Sequence, residues 1–467
     1  MSLLLPSERF LKIKNRYTPI EILGASMTPI KIDLLINCQW IIPIVPEDKI
    51  LHNCALAVDK DRILGIFPQA EASQRFLARR VDHLDQHILM PGLINSHGHA
   101  AMSLLRGYAD DLALEPWLQD HIWPAEKLFV SEEFVQDGTR LSIAEMIKTG
   151  TTCFADMYFF HDSIAEEVRN AGIRSQIGFT VLDFPTAFGK DADDYIHKGL
   201  AFRDLWNDHP LIKVACAPHA PYSVSNEALK KISTYANELD MPIHMHCHET
   251  ANEVRESIER YGERPLQRLN DLGILVPQTQ LVHMTQITDD DIALLQEHQC
   301  HVMHCPESNL KLASGFCPIS KLIDHGINVA IGTDSAASNN DLDLFSELKT
   351  ASLLAKAVSG DPSSLNAHAA LRMATINGAK ALGWDEDIGS LEKGKYADMI
   401  AIKIDSVGQQ PLYNAASQLV YTNSGPQVSH SWVAGKLLME DRQLRTINET
   451  NLIRTTKAWR IKIQAGA

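Results

Sequence analysis

The chain has 467 residues, 45% of them hydrophobic and 22% charged, with a formal net charge of -15. Its length excludes one ordinary small domain and fits two or three domains, or one large barrel with additions. The acidic balance, with no basic run, excludes nucleic-acid binding through a phosphate-tracking patch but leaves a neutral nucleoside or base open.

The eight cysteines form neither a CxxC pair nor a compact framework. That usage points to a reducing, cytoplasmic setting. No stretch is long and apolar enough to span a membrane, so no membrane partner is expected. Residues 1–29 lack a signal-peptide core, because Glu8, Arg9, Lys12, Lys14 and Arg16 interrupt them. They read as a flexible extension, with Met27 as an alternative start. Residues 30–89 read as the first part of a small accessory β domain. Its candidate strands are 32–37, 40–45, 54–58 and 62–66, with Pro43 marking an edge and Asp59-Lys60-Asp61 a turn. Such a unit is too small to stand alone.

From residue 90 the rhythm changes. Apolar runs at 93–96, 151–156, 175–179, 212–217, 241–246, 279–283, 301–304 and 328–334 alternate with helical patterns such as 132–148, 163–171, 227–239 and 289–298. Eight β/α units over residues 90–387 predict an α/β fold, a distorted (β/α)8 TIM barrel. An open doubly wound sheet is the alternative, although no GxGxxG follows any run. A helical stretch at 364–382 precedes a turn-rich segment from Gly389 to Asp398, and strands are expected at 399–402, 417–421 and 428–433. Residues 388–450 thus complete, with 30–89, one accessory β-sandwich built from the N- and C-terminal segments, leaving 451–467 as a tail.

The first barrel run, Met90-Pro91-Gly92-Leu93-Ile94-Asn95-Ser96-His97-Gly98-His99, ends in two histidines one residue apart. On a strand they face the same way and offer two metal ligands; alone, they could equally be a surface pair. Other run ends supply the missing groups. The fourth leads to His219, the fifth to His246 and Glu249, the sixth to His283 and the eighth to Asp334. In a barrel these ends share one face, where catalytic groups collect. His97, His99, His246 and Asp334 form a set for one divalent metal, zinc, with iron(II) as the alternative. Such a metal lowers the pKa of bound water to about 7. Asp334 can also accept the water proton, His283 can orient the water or stabilise oxyanion charge, and Glu249 can protonate a ring nitrogen. His244, deeper on the same face, reads as structural, and His248 faces away. His301 and His304 read as packing. Lys213 lies well before its strand end, which favours one metal over two.

These residues resemble the amidohydrolase superfamily. The opening Pro91-Gly92-Leu93-Ile94-Asn95-Ser96-His97-Gly98-His99, then His246, His283 and Asp334, is similar to its single-metal deaminase branch. The loop His99-Ala100-Ala101-Met102-Ser103-Leu104-Leu105-Arg106-Gly107-Tyr108-Ala109-Asp110-Asp111, with Trp117-Leu118 and Ile122-Trp123-Pro124-Ala125-Glu126, resembles the 5′-methylthioadenosine/S-adenosylhomocysteine deaminases. Residues 308–315 match another loop of that family near its pocket. The resemblance implies ribose binding by Glu126, nucleoside contact by His219 and purine contact by Glu249. Trp117 and Trp123 are candidates for base stacking, or for loop packing. Arg174 is a candidate for the 5′ substituent, or a strand-start charge; the second arginine found in some members is missing after it. The expected reaction is hydrolytic deamination of an adenosine-type nucleoside, by a homo-oligomer. The rivals are a guanine, cytosine or s-triazine aminohydrolase or a chlorohydrolase on the same fold, and, in another class, a non-catalytic metal-binding scaffold.

Overall fold

The computed structural model describes residues 28–466; of the extension expected at 1–29, all but the last two residues lie outside that range. The chain opens with β1 (Ile30–Ile41), β2 (Leu51–Asp59), β3 (Arg62–Pro68) and β4 (Phe76–Pro91). The two runs expected at 32–37 and 40–45 form one strand that stops at Ile41, just short of Pro43. β4 escaped the sequence pattern. Arg79, Arg80, Asp82 and Asp85 dilute its apolar signal, and only its last five residues are continuously buried.

The eight apolar runs all become parallel strands of one sheet: β5 (Leu93–Asn95), β6 (Thr151–Tyr158), β7 (Arg174–Val181), β8 (Ile212–Pro218), β9 (Ile243–Cys247), β10 (Thr279–His283), β11 (His301–His304) and β12 (Asn328–Ile331). Their spatial order follows the chain. Backbone bonds from Ser96 N to Ile331 O and from Asp334 N to His97 O close β12 onto β5. The barrel is irregular between β8 and β9, which share a single register pair, Cys216 with Ile243. β6 and β7 are buried along their whole length, as strands covered on both faces must be, and this is why they read as unbroken apolar runs. Helices return the chain between strands. Glu132–Thr149, for example, is capped by the Ser131 hydroxyl and ends at Gly150, whose φ of 99° suits glycine. Val282, Met303 and Ala330 pack inside the barrel against Ala381, from the helix Ile376–Ala381 beneath its floor.

After the barrel come β13 (Met399–Lys403), β14 (Val428–Val433), β15 (Lys436–Glu440) and β16 (Gln443–Leu444). They join β1–β4 in a second, mixed sheet ordered β16-β15-β14-β13-β4-β1-β2-β3. Leu56 of β2 and Trp432 of β14 lie far apart in that order yet share one core cluster with Ile36 and Met399, so the sheet folds over on itself. The strand expected at 417–421 is instead the helix Ala415–Tyr421, begun by the Asn414 side chain accepting from Ser417 N. The expected tail carries the helix Glu449–Gly466, which buries Leu452, Trp459 and Ile463. Among the described residues, no helix is long and apolar enough to cross a membrane, and all eight cysteines are unpaired.

Candidate active site

His97 and His99 follow β5, His246 lies on β9, and Asp334 follows β12. One ligand atom from each converges, all within 4.8 Å of one another. Asp334 Oδ1 is 3.3 Å from His97 Nε2 and 3.2 Å from His99 Nε2, and His246 Nε2 is 3.2 Å from His97 Nε2. Donors bound at 2.0–2.1 Å to a tetrahedral zinc ion stand roughly 3.3 Å apart, so the spacing fits. The proton positions fit as well. His99 Nδ1–H donates to Met157 O at 2.6 Å and His246 Nδ1–H to His219 O at 2.7 Å. Carbonyl oxygens only accept, so both Nε2 atoms are left with lone pairs facing inward. Asp334 holds a proton at His99, raising the imidazole to about 9 against the opposing effect of burial. A metal ion competes with that proton for the same lone pair. Gly332 lets β12 come this close to β5: a Cβ there would lie 2.7 Å from His97 N.

The other Asp334 oxygen, Oδ2, accepts from Ser308 and Ser338 hydroxyls, each at 2.7 Å. His283 Nδ1 is 2.8 Å from Asn309 Oδ1, and its Nε2 is 3.6 Å from Glu249 Oε2. His283 and Asp334 have φ of 76° and 58°, sparsely populated values for such side chains. Backbone strain of this kind clusters where a side chain must be aimed. Burial, then the charges of Asp334 and Glu115, push the Glu249 carboxyl up to about 8. It is therefore protonated near neutral pH, as a proton donor must be. The neighbouring carboxylate of Glu253 accepts from the backbone N–H groups of His248 and Glu249, at 3.0 and 2.7 Å, and fixes the turn that carries Glu249.

A cavity opens from this cluster. Glu126, His219, Trp117, Trp123 and Glu249 all line it, with Leu118, Tyr158, Leu182 and Phe184. Tyr158 donates to Glu126 Oε1 at 2.6 Å, and burial raises the Glu126 carboxyl to about 7. His219 Nδ1 is 2.9 Å from Ser223 Oγ. The Trp117 indole N–H is used by Ala109 O, while Trp123 leans on Phe184 with ring centroids 5.8 Å apart. Among the described residues, no lysine or arginine lines the cavity.

Arg174 is not brought to this cavity. It starts β7, at the opposite end of the barrel, and binds both Asp398 carboxylate oxygens, at 2.9 and 3.2 Å. Its guanidinium is needed there to neutralise a buried carboxylate. Lys213 is also at that end, bonded to Gly383 O. His248 faces away from the cluster, accepting from Leu266 N. Ser308, Ser338, Asn309 and Tyr158 were missed as functional side chains. The 308–315 loop was legible, but its contacts join residues 26 apart in the chain.

Residues 88–438 match the profile described as the amidohydrolase family. A protein of Teredinibacter turnerae named 5-methylthioadenosine/S-adenosylhomocysteine deaminase is 51% identical over 434 residues, covering 93% of this chain and 98% of its own. A protein of Saccharophagus degradans with the same name is 52% identical, covering 93% and 97%. The crystal structure of an adenosine deaminase from Xanthomonas campestris with bound zinc superposes with a TM-score of 0.93 at 46% identity, covering 94% of this chain and all of that one. An atrazine chlorohydrolase from Arthrobacter aurescens shares the fold, with a TM-score of 0.85 at 22% identity, covering 91% and 99%.

Proposed function

Because this chain belongs to the amidohydrolase family, we propose that it deaminates an adenosine-type nucleoside by hydrolysis, giving the inosine-type product and ammonia. The observation that carries the reading is one cavity with the His97, His99, His246 and Asp334 cluster at one side, the buried Glu249 carboxyl beside it, and Glu126, held by the Tyr158 hydroxyl, in the same wall. A single divalent ion held by those four ligands, zinc in the relative from Xanthomonas campestris, supplies Lewis acidity and a hydroxide nucleophile near neutral pH.

The remaining work falls to the side chains. Glu249 gives its proton to the ring nitrogen next to C6, which makes C6 more electrophilic. His283 Nε2 and the Asp334 carboxylate take the two protons of the attacking water; one goes to the departing amine, which leaves as ammonia, and the other restores the Glu249 carboxyl. Glu126, oriented through one oxygen by Tyr158, has its other oxygen for ribose hydroxyls. His219 touches the nucleoside, and Trp117 and Trp123 flank the base. With no lysine or arginine among the described lining residues and Leu118, Leu182 and Phe184 in the wall, an uncharged 5′ group, hydroxyl or methylthio, suits the cavity better than the zwitterionic homocysteinyl group, whose charges would lack partners. The enzyme works in the cytoplasm, in keeping with eight unpaired cysteines, and as a homo-oligomer, for which exposed Leu128, Ile453 and Ile461 offer apolar surface.

Ammonia release from a panel of adenosine, 5′-methylthioadenosine, S-adenosylhomocysteine, adenine, guanine, cytosine and s-triazines, with metal analysis on the same preparation, tests this reading. Turnover of the adenosine-type nucleosides, methylthioadenosine ahead of S-adenosylhomocysteine, is expected. Equal activity on adenine and methylthioadenosine would overturn the nucleoside assignment, and a metal-loaded protein inert to the whole panel would favour a scaffold.

A further inference from the structure

His97 differs from the other two histidines of the metal cluster. Its Nδ1 meets no carbonyl; it lies 2.8 Å from His244 Nε2. Two imidazole nitrogens can share only one proton, so His97 can present an Nε2 lone pair only if His244 Nε2 is unprotonated. What sets His244 lies one residue deeper. Its Nδ1 is 2.7 Å from Gln280 Oε1, on β10. The orientation of that amide is not arbitrary, because Gln280 Nε2 is 2.7 Å from the carbonyl of Ala381, which can only accept. Flipping the amide would press two oxygens together and face its N–H at His244. Gln176, on β7, holds the same orientation, with its Nε2 2.7 Å from Gln280 Oε1 and its Oε1 3.2 Å from Gln280 Nε2. Gln176, His244 and Gln280 are all at most 2% exposed, so water does not compete.

We propose that Gln280, through His244, is a positioning residue for the metal centre: the chain Ala381 C=O, Gln280, His244, His97 fixes every proton so that His97 Nε2 faces the ion as a lone pair. His244 is thereby an acceptor and not a metal ligand. Gln176 and Gln280 lie in strands that give no ligand, and they act from the closed floor of the barrel. With Gln280 removed, His244 is free to carry its proton on Nε2. That tautomer drives the His97 proton to the atom that must bind the metal. The inference rests on the metal centre of the reading above but not on its substrate.

Two variants and one spectrum test it. Gln280→Leu deletes the acceptor, and zinc affinity, read by competition with a chromophoric chelator, is expected to fall about 10–100-fold, the usual scale for partners of metal-binding histidines. Gln280→Glu, neutral in so buried a place, keeps a carbonyl for His244 and an O–H for Ala381, and is expected to stay within about threefold of the wild type. The long-range 1H–15N spectrum of histidine-labelled, zinc-loaded wild type, assigned with His244→Gln, should show His244 protonated at Nδ1. Wild-type zinc affinity in Gln280→Leu, or a His244 proton on Nε2, would overturn the proposal. The spectrum decides even if Gln280→Leu does not fold. None of these measurements needs substrate, so a failure here is separable from an incorrect substrate assignment.

Discussion

Two buried ionisable groups at opposite ends of one barrel have opposite uses. Arg174, at the floor, is 1% exposed and grips both oxygens of Asp398. Glu249, at the rim, is 5% exposed and has no lysine or arginine partner among the described residues; His283 Nε2 stands 3.6 Å from its Oε2. Burial disfavours charge at both places. At the floor a bidentate partner keeps the charge, and the pair ties β7 to the segment entering β13. At the rim the His99 charge and the Ser314 hydroxyl offset burial only in part, the carboxyl rises to about 8 and the proton stays available.

The largest expected effects lie at the rim. Stripping the metal with a chelator should abolish ammonia release, and zinc should restore it; activity that survives with no metal detectable would remove the rim's chemistry from this account. Glu249→Gln keeps the shape but cannot give up a proton of the right acidity. A drop in kcat of about 10²–10⁴ is expected, with thermal stability unchanged or raised. Arg174→Met should do the reverse. Leaving Asp398 buried and unpaired costs about 3–5 kcal/mol of stability by denaturant titration, while kcat per folded molecule holds. If Arg174→Met instead raised KM for S-adenosylhomocysteine alone, the floor would be part of substrate binding after all.

Glu126 sharpens the comparison within the rim. Glu126→Ala should lower kcat/KM for methylthioadenosine about 10–100-fold, the loss of charge-assisted hydrogen bonds to ribose, and leave any activity on adenine as it was. A parallel loss on both would make Glu126 a prop for Tyr158 instead.

How much of this was legible in the chain follows from what makes a pattern local. The eight barrel strands are buried on both faces and so appear as apolar runs; the ligands His97, His99, His246 and Asp334 appear because each closes such a run. Glu126 needed the family resemblance, since nothing in its spacing marks it; His219 stands after the fourth run, and only its contact with the nucleoside needed the resemblance. Arg174 misled because it sits at a strand start, on the wrong end of the barrel, and only its partner 224 residues later reveals its use. Residues 417–421, expected as a strand, form a helix because the Asn414 side chain caps it. The Gln280–His244 relay joins four chain segments and has no local signature.

The smallest effect concerns histidines that belong to neither end's chemistry. His161 is buried among Phe179, Phe188 and Phe202, and burial pushes it down to about 3. His304, facing the helix layer, is also lowered to about 3. Unfolding restores an ordinary value near 6.5. The unfolded chain therefore binds protons that the folded one refuses, and stability rises with pH. The contribution is complete above about pH 6.5 and is lost as pH falls towards 3, on the order of 1 kcal/mol per pH unit for each histidine. His161→Phe suits its aromatic surroundings and removes one of these protons. Its melting temperature should fall less steeply between pH 7 and pH 5 than that of the wild type, whatever the variant loses at pH 7 by giving up the bond to Tyr158 O. An unchanged slope would mean that His161 already titrates in the folded protein, and that water reaches the helix layer as it does the rim.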